Sequence, residues 1–315
     1  MQIADVLARG AVILTGGSVI ERLRRDPTVE LDPEVLNAAF VLEPRNRERL
    51  ATCYRQYLDI GAAYDLPMIC ATPTWRANPE RCDRGGYGCE ELNAAAAEFL
   101  LQIRSEYGTY ASKVFVGGLM GCRGDAYDGS SALGPEQAAE FHALQAQALA
   151  RAGVDFLLAV TLPAAPEALG IAETLGRCGL PYFLSFIIRP AGALLDGTRL
   201  SDMVSVIDAA AQPNPLGFWV NCVHPTVFSA AMRTETPSAP RLPERVLGLQ
   251  ANTSALPPEE LDACAVLQTE EPAPFVTAMM EAHRAFGTRI LGGCCGTGPE
   301  HIEALAQQFS DRSLA

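Results

Sequence analysis

Short apolar runs, each followed by a helical pattern, recur eight times along the chain, and this alternation constrains the fold more than any other feature. The runs are nearly continuous in apolar residues, as expected for strands that are buried on both faces of a parallel sheet. Eight successive β-then-α units predict an α/β fold, a single (β/α)₈ TIM barrel that spans residues 1–315. The predicted strands are 11–16, 66–72, 113–118, 154–161, 181–188, 217–222, 246–252 and 288–294.

The connecting segments carry helix and turn signals. In the segment 134–153, Pro135 suits a first helical turn and Gly153 suits a helix stop. The segments 26–37 and 233–245 contain few periodic apolar residues and several prolines, which predicts loops. Asp5 precedes the first apolar run and no small-residue cleavage site follows it, so the start of the chain is not typical of a signal peptide.

Charge and hydropathy argue against several classes of partner. The net charge of −13 argues against nucleic acid and against an anionic membrane surface. The chain contains no run of eighteen apolar residues, so the sequence predicts no membrane span. We therefore expect a cytoplasmic protein, in which the ten cysteines are mostly free and buried thiols. We expect its partners to be small molecules, and the sequence leaves open whether the protein forms a homo-oligomer.

The carboxyl ends of the strands are the expected position of an active site in a barrel enzyme. Cys222 ends the sixth predicted strand, and Cys294 and Cys295 end the eighth. These two strand ends can approach one point, so the three thiols could hold Zn²⁺ and leave a fourth position for a substrate thiol. Packing of small residues in a tight turn is the alternative for the vicinal pair. The other candidates at strand ends are Thr15, Gly16, Gly17, Thr72, Trp75, Arg76, Val160, Asn221 and Asn252.

Two segments around these cysteines resemble a known family. "GFWVNCVHP" and "ILGGCCGTGPEHI" are similar to the zinc motifs of the homocysteine S-methyltransferase family, and "LTGGSVIERL", "ICATPTWRAN" and "AGVDFLLAVTLPAAPEAL" are weaker likenesses in the same order. The resemblance covers nearly the whole chain. It implies the barrel fold, Zn²⁺ on Cys222, Cys294 and Cys295, and a transferase of the EC 2.1.1 type that methylates a thiol such as homocysteine.

The chain departs from the family pattern at two positions. Thr15 stands where the family has Asp, and Val160 stands where it has Glu. In the family those carboxylates hold the ammonium group of homocysteine, and a buried ammonium without a counter-charge costs several kcal/mol. We therefore expect a related thiol that lacks the amino group, unless Glu21 or Asp125 holds the amine instead.

The methyl donor is expected to be a small onium compound, S-methylmethionine-like or betaine-like, since the chain has no room for separate folate or corrinoid domains. Aromatic faces hold such cations, and Trp75 is a candidate. Arg76 beside it would oppose a cation but would suit a carboxylate on donor or acceptor.

Two other functions stay open at this point. The chain could be the methyl-accepting barrel of a corrinoid-dependent methyltransferase system. It could also be a non-catalytic zinc or redox barrel, in which His224 closes a four-ligand site. His301, in the last predicted helix, is expected at the surface.

Overall fold

The computed structural model describes residues 2–257, 260 and 269–310. Eight parallel strands pair in chain order and close into a barrel, in which Ile13 of the first strand lies opposite Ile290 of the last. The strands are β1 (Ile13–Thr15), β2 (Met68–Ala71), β3 (Val114–Met120), β4 (Phe156–Leu162), β5 (Tyr182–Phe186), β6 (Gly217–Val223), β7 (Val246–Ala251) and β8 (Ile290–Gly293).

The inside of the barrel is filled with large apolar side chains. The ring of Phe183 lies 5.5 Å from that of Phe156 and 5.2 Å from that of Trp219, and all three side chains are fully buried. Ile3 and Leu7 of the first helix belong to the same cluster, so this short helix packs on the barrel interior. Burial of this many apolar groups is the main stabilising contribution to the fold.

A layer of helices surrounds the strands, and a second apolar core fills the space between the two layers. Proline at the first turn opens several of these helices, and Gly153, at φ +87°, ends one of them as the sequence predicts. The helices are α1 (Ile3–Ala8), α2 (Ile20–Arg24), α3 (Pro44–Ala63), α4 (Pro79–Gly85), α5 (Cys89–Ser105), α6 (Pro135–Arg151), α7 (Ala165–Arg177), α8 (Leu200–Ala210), α9 (Pro225–Glu235), α10 (Leu242–Arg245), α11 (Pro272–Phe286) and α12 (Pro299–Ser310), with short 3₁₀ turns at Asn37–Leu42, Gly108–Lys113 and Gly129–Ser131.

The predicted barrel and its eight strands are confirmed. The strand bounds differ from the predicted ones by at most two residues, mostly because the predicted runs include residues that belong to the turns. The short helices α1, α2, α4 and α10 are not among the predicted elements; α10 lies inside the predicted loop 233–245. Cys264 lies outside the described residues. None of the helices in the described part of the chain has the length and apolar character that a membrane span requires.

Candidate metal centre and substrate cavity

A cavity of about 700 Å³ opens at the carboxyl ends of the strands. Its volume is typical of a small-molecule site. All the candidates predicted at the strand ends reach its wall: Thr15, Gly16, Gly17, Thr72, Trp75, Arg76, Val160, Asn221, Cys222, Asn252, Cys294 and Cys295.

Three thiols form a compact cluster on this wall. The Sγ atoms of Cys222, Cys294 and Cys295 lie within 4.8 Å of one another, and those of Cys222 and Cys294 are 2.6 Å apart. Hydrogen bonds from the other two thiols hold the pKa of Cys222 well below its usual range. The same hydrogen bonding to Cys222 raises the pKa of Cys294, and it raises the pKa of Cys295 to about 12. Once one of the three thiols is ionised, its negative charge therefore makes ionisation of the other two less favourable. A cation bound between them would offset this repulsion.

An irregular turn of the backbone aims Cys222 into the cavity. Successive residues of a regular strand point to opposite faces, so Asn221 and Cys222 would not both face the barrel mouth. Cys222 has φ +54°, and the pairing of β6 with β7 shifts register between Asn221 and Val223. Thr161 on β4 has a similar φ of +56° at another register shift. Both are strained conformations for residues other than glycine, and they persist only when the surroundings fix them.

The side chain of Asn221 holds this strained region in place through hydrogen bonds to β4 and β5. Its Oδ1 accepts hydrogen bonds from the Thr161 amide at 2.9 Å and from the Ser185 hydroxyl at 2.6 Å, and its Nδ2 donates to Thr161 Oγ1 at 2.8 Å. The residue is 2 % exposed. Asn221 thus ties β4, β5 and β6 together directly beside Cys222.

The turn after β8 positions the vicinal cysteines. The Cys294 amide donates to the Ala251 carbonyl at 2.7 Å, and the Cys295 amide donates to Asn252 Oδ1 at 3.1 Å. A Cβ on Gly293 would come within 2.1 Å of Thr297 Oγ1, so only glycine fits there. The Asn252 side chain therefore orients this turn from β7.

The end of β1 contributes close packing. A Cβ on Gly16 would lie 2.8 Å from the Tyr57 ring, and one on Gly17 would lie 2.9 Å from the Thr297 carbonyl oxygen. The Thr72 hydroxyl lies 2.6 Å from that of Thr74 and accepts the Leu119 amide at 2.8 Å. Gly16 and Gly17 thus shape the cavity wall by allowing close backbone packing, and Thr72 does so through the hydrogen bonds of its hydroxyl.

The wall around Thr15 and Val160 is neutral. Thr15 Oγ1 donates to the Gly16 carbonyl and accepts from Gln250 Nε2 at 3.0 Å, while Val160 presents an apolar side chain. Gln250 is a polar residue inside a strand that the sequence analysis did not single out. Hydrogen-bonding groups, rather than carboxylates, therefore occupy this part of the wall.

Glu21 and Asp125, the two alternative carboxylates, also line the cavity. Glu21 Oε1 and Oε2 pair with Arg24 at 2.5 Å and Arg25 at 3.5 Å. Burial raises the pKa of Glu21, and a negative charge on Cys295 raises it further. Asp125 is exposed, and its Oδ1 accepts the Tyr127 amide at 2.9 Å.

Trp75 and Arg76 form one unit at the end of β2. The guanidinium carbon of Arg76 lies 4.2 Å from the centre of the Trp75 ring, so this arginine already occupies a face of the indole. Arg76 is 9 % exposed and donates to the Gly124 carbonyl. Trp75 Nε1 is buried and has no hydrogen-bond partner among the described residues.

Tyr127 is a site residue that the sequence analysis missed. Its hydroxyl lies 4.0 Å from Cys222 Sγ, and the residue lines the cavity from the loop after β3. A negative charge on Cys222 and burial together raise its pKa well above the usual value. An aromatic residue shortly after a barrel strand was the available signal.

Neither of the two histidines considered from the sequence reaches the thiols as a ligand. His224 caps α9: its Nδ1 lies 2.7 Å from the Thr226 hydroxyl, and its Nε2 lies 3.2 Å from a Glu270 carboxylate oxygen. The expected surface position of His301 is wrong. It is 2 % exposed because its Nδ1 accepts the Gly298 amide and its Nε2 lies 2.8 Å from the Glu270 carbonyl oxygen.

A comparison with protein families identifies the family of this barrel. The family model for homocysteine S-methyltransferase matches residues 12–309, nearly the full length of the chain. The chain belongs to the homocysteine S-methyltransferase family. Membership places it among the S-methyltransferases.

Individual members of the family are distant in sequence. The chain is 29% identical to the homocysteine S-methyltransferase of Escherichia coli (strain K12) over 223 residues, which cover 68% of each chain. It is 29% identical to homocysteine S-methyltransferase YbgG of Bacillus subtilis over 191 residues, a match that spans only 56% of that relative. It is 24% identical to a selenocysteine Se-methyltransferase of Brassica oleracea var. italica over 91% of that protein's length.

Among solved structures, the metallated form of the homocysteine methyltransferase MmuM from Escherichia coli has the same fold. The TM-score is 0.76 at 22% identity, and the match covers 97% of this chain and 99% of that one. At this level of identity the likeness establishes the barrel architecture alone.

Proposed function

We propose that this protein transfers a methyl group from a small onium donor to a thiol, with Zn²⁺ held by Cys222, Cys294 and Cys295. The donor is S-methylmethionine-like or betaine-like, and the acceptor is homocysteine or a related thiol without the amino group. The observation that carries the proposal is the convergence of these three thiols on one wall of a substrate-sized cavity.

The donor set fits a thiophilic divalent cation. Three Sγ atoms within 4.8 Å of one another offer the sulfur ligands that zinc prefers, and the open cavity leaves a fourth position for a substrate. The metallated form of MmuM, a homocysteine methyltransferase, is consistent with a metal in this family. When bound, zinc would lower the pKa of the acceptor thiol and so make a thiolate available near neutral pH.

The reaction is a direct displacement. The acceptor sulfur, after losing its proton to solvent, attacks the methyl carbon of the donor and forms a new S–CH₃ bond. The bond between that carbon and the onium atom breaks, its electron pair stays on the leaving atom, and a neutral thioether or tertiary amine departs. The cavity wall would hold donor and acceptor in line and exclude water, which contributes to the rate through proximity and desolvation.

The surroundings of the thiols favour this function over a closed structural zinc site. A structural site would need a fourth protein ligand, and both ring nitrogens of His224 already lie within hydrogen-bonding distance of Thr226 and Glu270. No other group of three or more histidine, cysteine or acidic side chains in the described residues could hold a metal. A fourth ligand from substrate is therefore the better fit.

Zinc content after purification under reducing conditions tests the proposal. We expect about one zinc per chain in the wild type, and loss of most of it in Cys295→Ser, because removal of one of three thiolates weakens the site by orders of magnitude. Cys178→Ser is the matched control, since Cys178 is half-buried at the end of α7 and its Sγ donates to the Thr174 carbonyl. Absence of zinc from the wild type, even after reconstitution, would contradict the proposal.

A further inference from the structure

Arg76 is a buried cation that forms no ion pair with a carboxylate in the described residues. It is 9 % exposed, it lines the cavity, and its one hydrogen-bond acceptor in the described residues is the Gly124 carbonyl. Across residues 2–257, 260 and 269–310, no carboxylate oxygen lies within 4.0 Å of its guanidinium nitrogens, whereas Arg24 and Arg25 on the same wall both pair with Glu21.

A second arginine near Arg76 adds positive charge, although the exposed Asp125 lines the same cavity. Arg81 also lines the cavity, and the charge of Arg76 lowers the pKa of Arg81 after the larger effect of burial. Arg81 has its own distant partner, a carboxylate oxygen of Glu34 at 3.8 Å, and its Nε is buried with no hydrogen-bond acceptor in the part of the chain that the structure describes. On the other side of Arg76 lies the apolar face of Trp75.

A buried guanidinium without a counter-ion is costly, and a carboxylate is the ligand that matches its planar pair of N–H donors. The wall at Thr15 and Val160 offers a hydroxyl and an apolar group, which give an ammonium no counter-charge.

We propose that Arg76 binds a carboxylate carried by one of the two substrates and thereby selects substrates that bear a carboxylate. The inference rests on the proposed function for treating the cavity as the substrate site. The carboxylate belongs either to the acceptor thiol or to the onium donor, and both sources present the same chemistry to Arg76.

Binding of two matched pairs of probes distinguishes these sources. The acceptor pair is 4-mercaptobutyrate and 4-mercaptobutanol, and the donor pair is dimethylsulfoniopropionate and the trimethylsulfonium ion. Dissociation constants are measured calorimetrically on the zinc-reconstituted protein. We expect the carboxylate-bearing member of one pair to bind about 10- to 100-fold more tightly than its counterpart without a carboxylate, as for a charge-assisted hydrogen-bonded pair. The pair that shows this preference identifies the substrate with the carboxylate.

Variants assign the preference to the guanidinium. Arg76→Gln should lose it, while Arg76→Lys should keep part of it because the charge remains without the planar fork. Arg24→Gln is the matched control, since Arg24 lines the same cavity but is already paired with Glu21. Thermal unfolding of each variant confirms that the fold is intact.

Several outcomes would overturn the inference. Equal dissociation constants within both pairs for the wild type would do so without any variant, and so would failure of both carboxylate-bearing probes to bind at millimolar concentration. Retention of the preference in a folded Arg76→Gln protein would also do so. A wild-type protein that prefers the carboxylate-bearing probes but transfers no methyl group would count against the proposed function and would leave this inference standing.

Discussion

Replacing Thr15 by Asp would restore one of the carboxylates that the family uses for the substrate amine. Thr15 Oγ1 already accepts a hydrogen bond from Gln250 Nε2 at 3.0 Å, so an aspartate oxygen could keep that donor. The second oxygen would meet the α-ammonium group of homocysteine. A hydrogen bond between charged partners contributes about 1.5–3 kcal/mol, which corresponds to roughly a 10- to 150-fold gain in kcat/KM for homocysteine.

The substitution should also reduce stability when no ammonium is bound. Thr15 is 1 % exposed, and an uncompensated carboxylate there would cost several kcal/mol before the Gln250 hydrogen bond and a raised pKa offset part of it. We therefore expect a lower unfolding midpoint in the substrate-free protein, and partial recovery of it when homocysteine is added.

The assay compares kcat/KM for homocysteine with that for 4-mercaptobutyrate, which differs only by the absent amino group. Wild type should prefer 4-mercaptobutyrate, and Thr15→Asp should shift the ratio toward homocysteine. Thr15→Asn is the control, because it has the same shape without the charge. A wild type that uses homocysteine at least as well as 4-mercaptobutyrate, or an Asn variant that shifts the ratio as much as Asp does, would refute the reasoning.

Two further predictions concern the neighbouring aromatic residue and the barrel interior. Tyr127→Phe removes a hydroxyl 4.0 Å from Cys222 Sγ, so kcat should fall about fivefold while zinc content is kept; an unchanged kcat would contradict a role for this hydroxyl. Gly248→Ala would place a Cβ 2.3 Å from the Trp219 ring and should lower the free energy of unfolding by about 1–3 kcal/mol in urea titrations. The control for the second prediction is Gly134→Ala, whose Cβ would meet nothing closer than 3.9 Å, and an equal effect of both glycine substitutions would exclude overpacking as the cause.

The barrel was predictable because period and order survive in the sequence. Strands buried on both faces need continuous apolar runs, and parallel strands need helical crossovers, so both appear as local patterns. The barrel fold brings Cys222 near Cys294 and Cys295, since strand ends of a closed sheet share one rim, but the left-handed turn that aims the Cys222 sulfur had no local signal. The short helix α4 gave no such pattern, because seven residues are too few to display a helical period.

The finer arrangement of the site was not predictable from local pattern. That Arg76 stacks on Trp75, and that Asn221 bonds to β4 and β5, depends on contacts between residues far apart in the chain. The inward position of His301 likewise depends on the backbone carbonyl of Glu270, from which it is separated in the chain by α11 and β8. Residue type indicated chemistry at these positions, but partners are set by the tertiary fold.

The left-handed backbone at Cys222 fixes the direction of its sulfur as part of the folded barrel. The hydrogen bonds of Asn221 to Thr161 and Ser185 hold the adjoining strands in place, so the conformational cost of the strained residue falls on folding. In the proposed zinc site, such a preorganised sulfur would leave only the turn at Cys294 and Cys295 to adjust on metal binding. The neighbouring asparagine would then stabilise the conformation that directs the cysteine toward the metal.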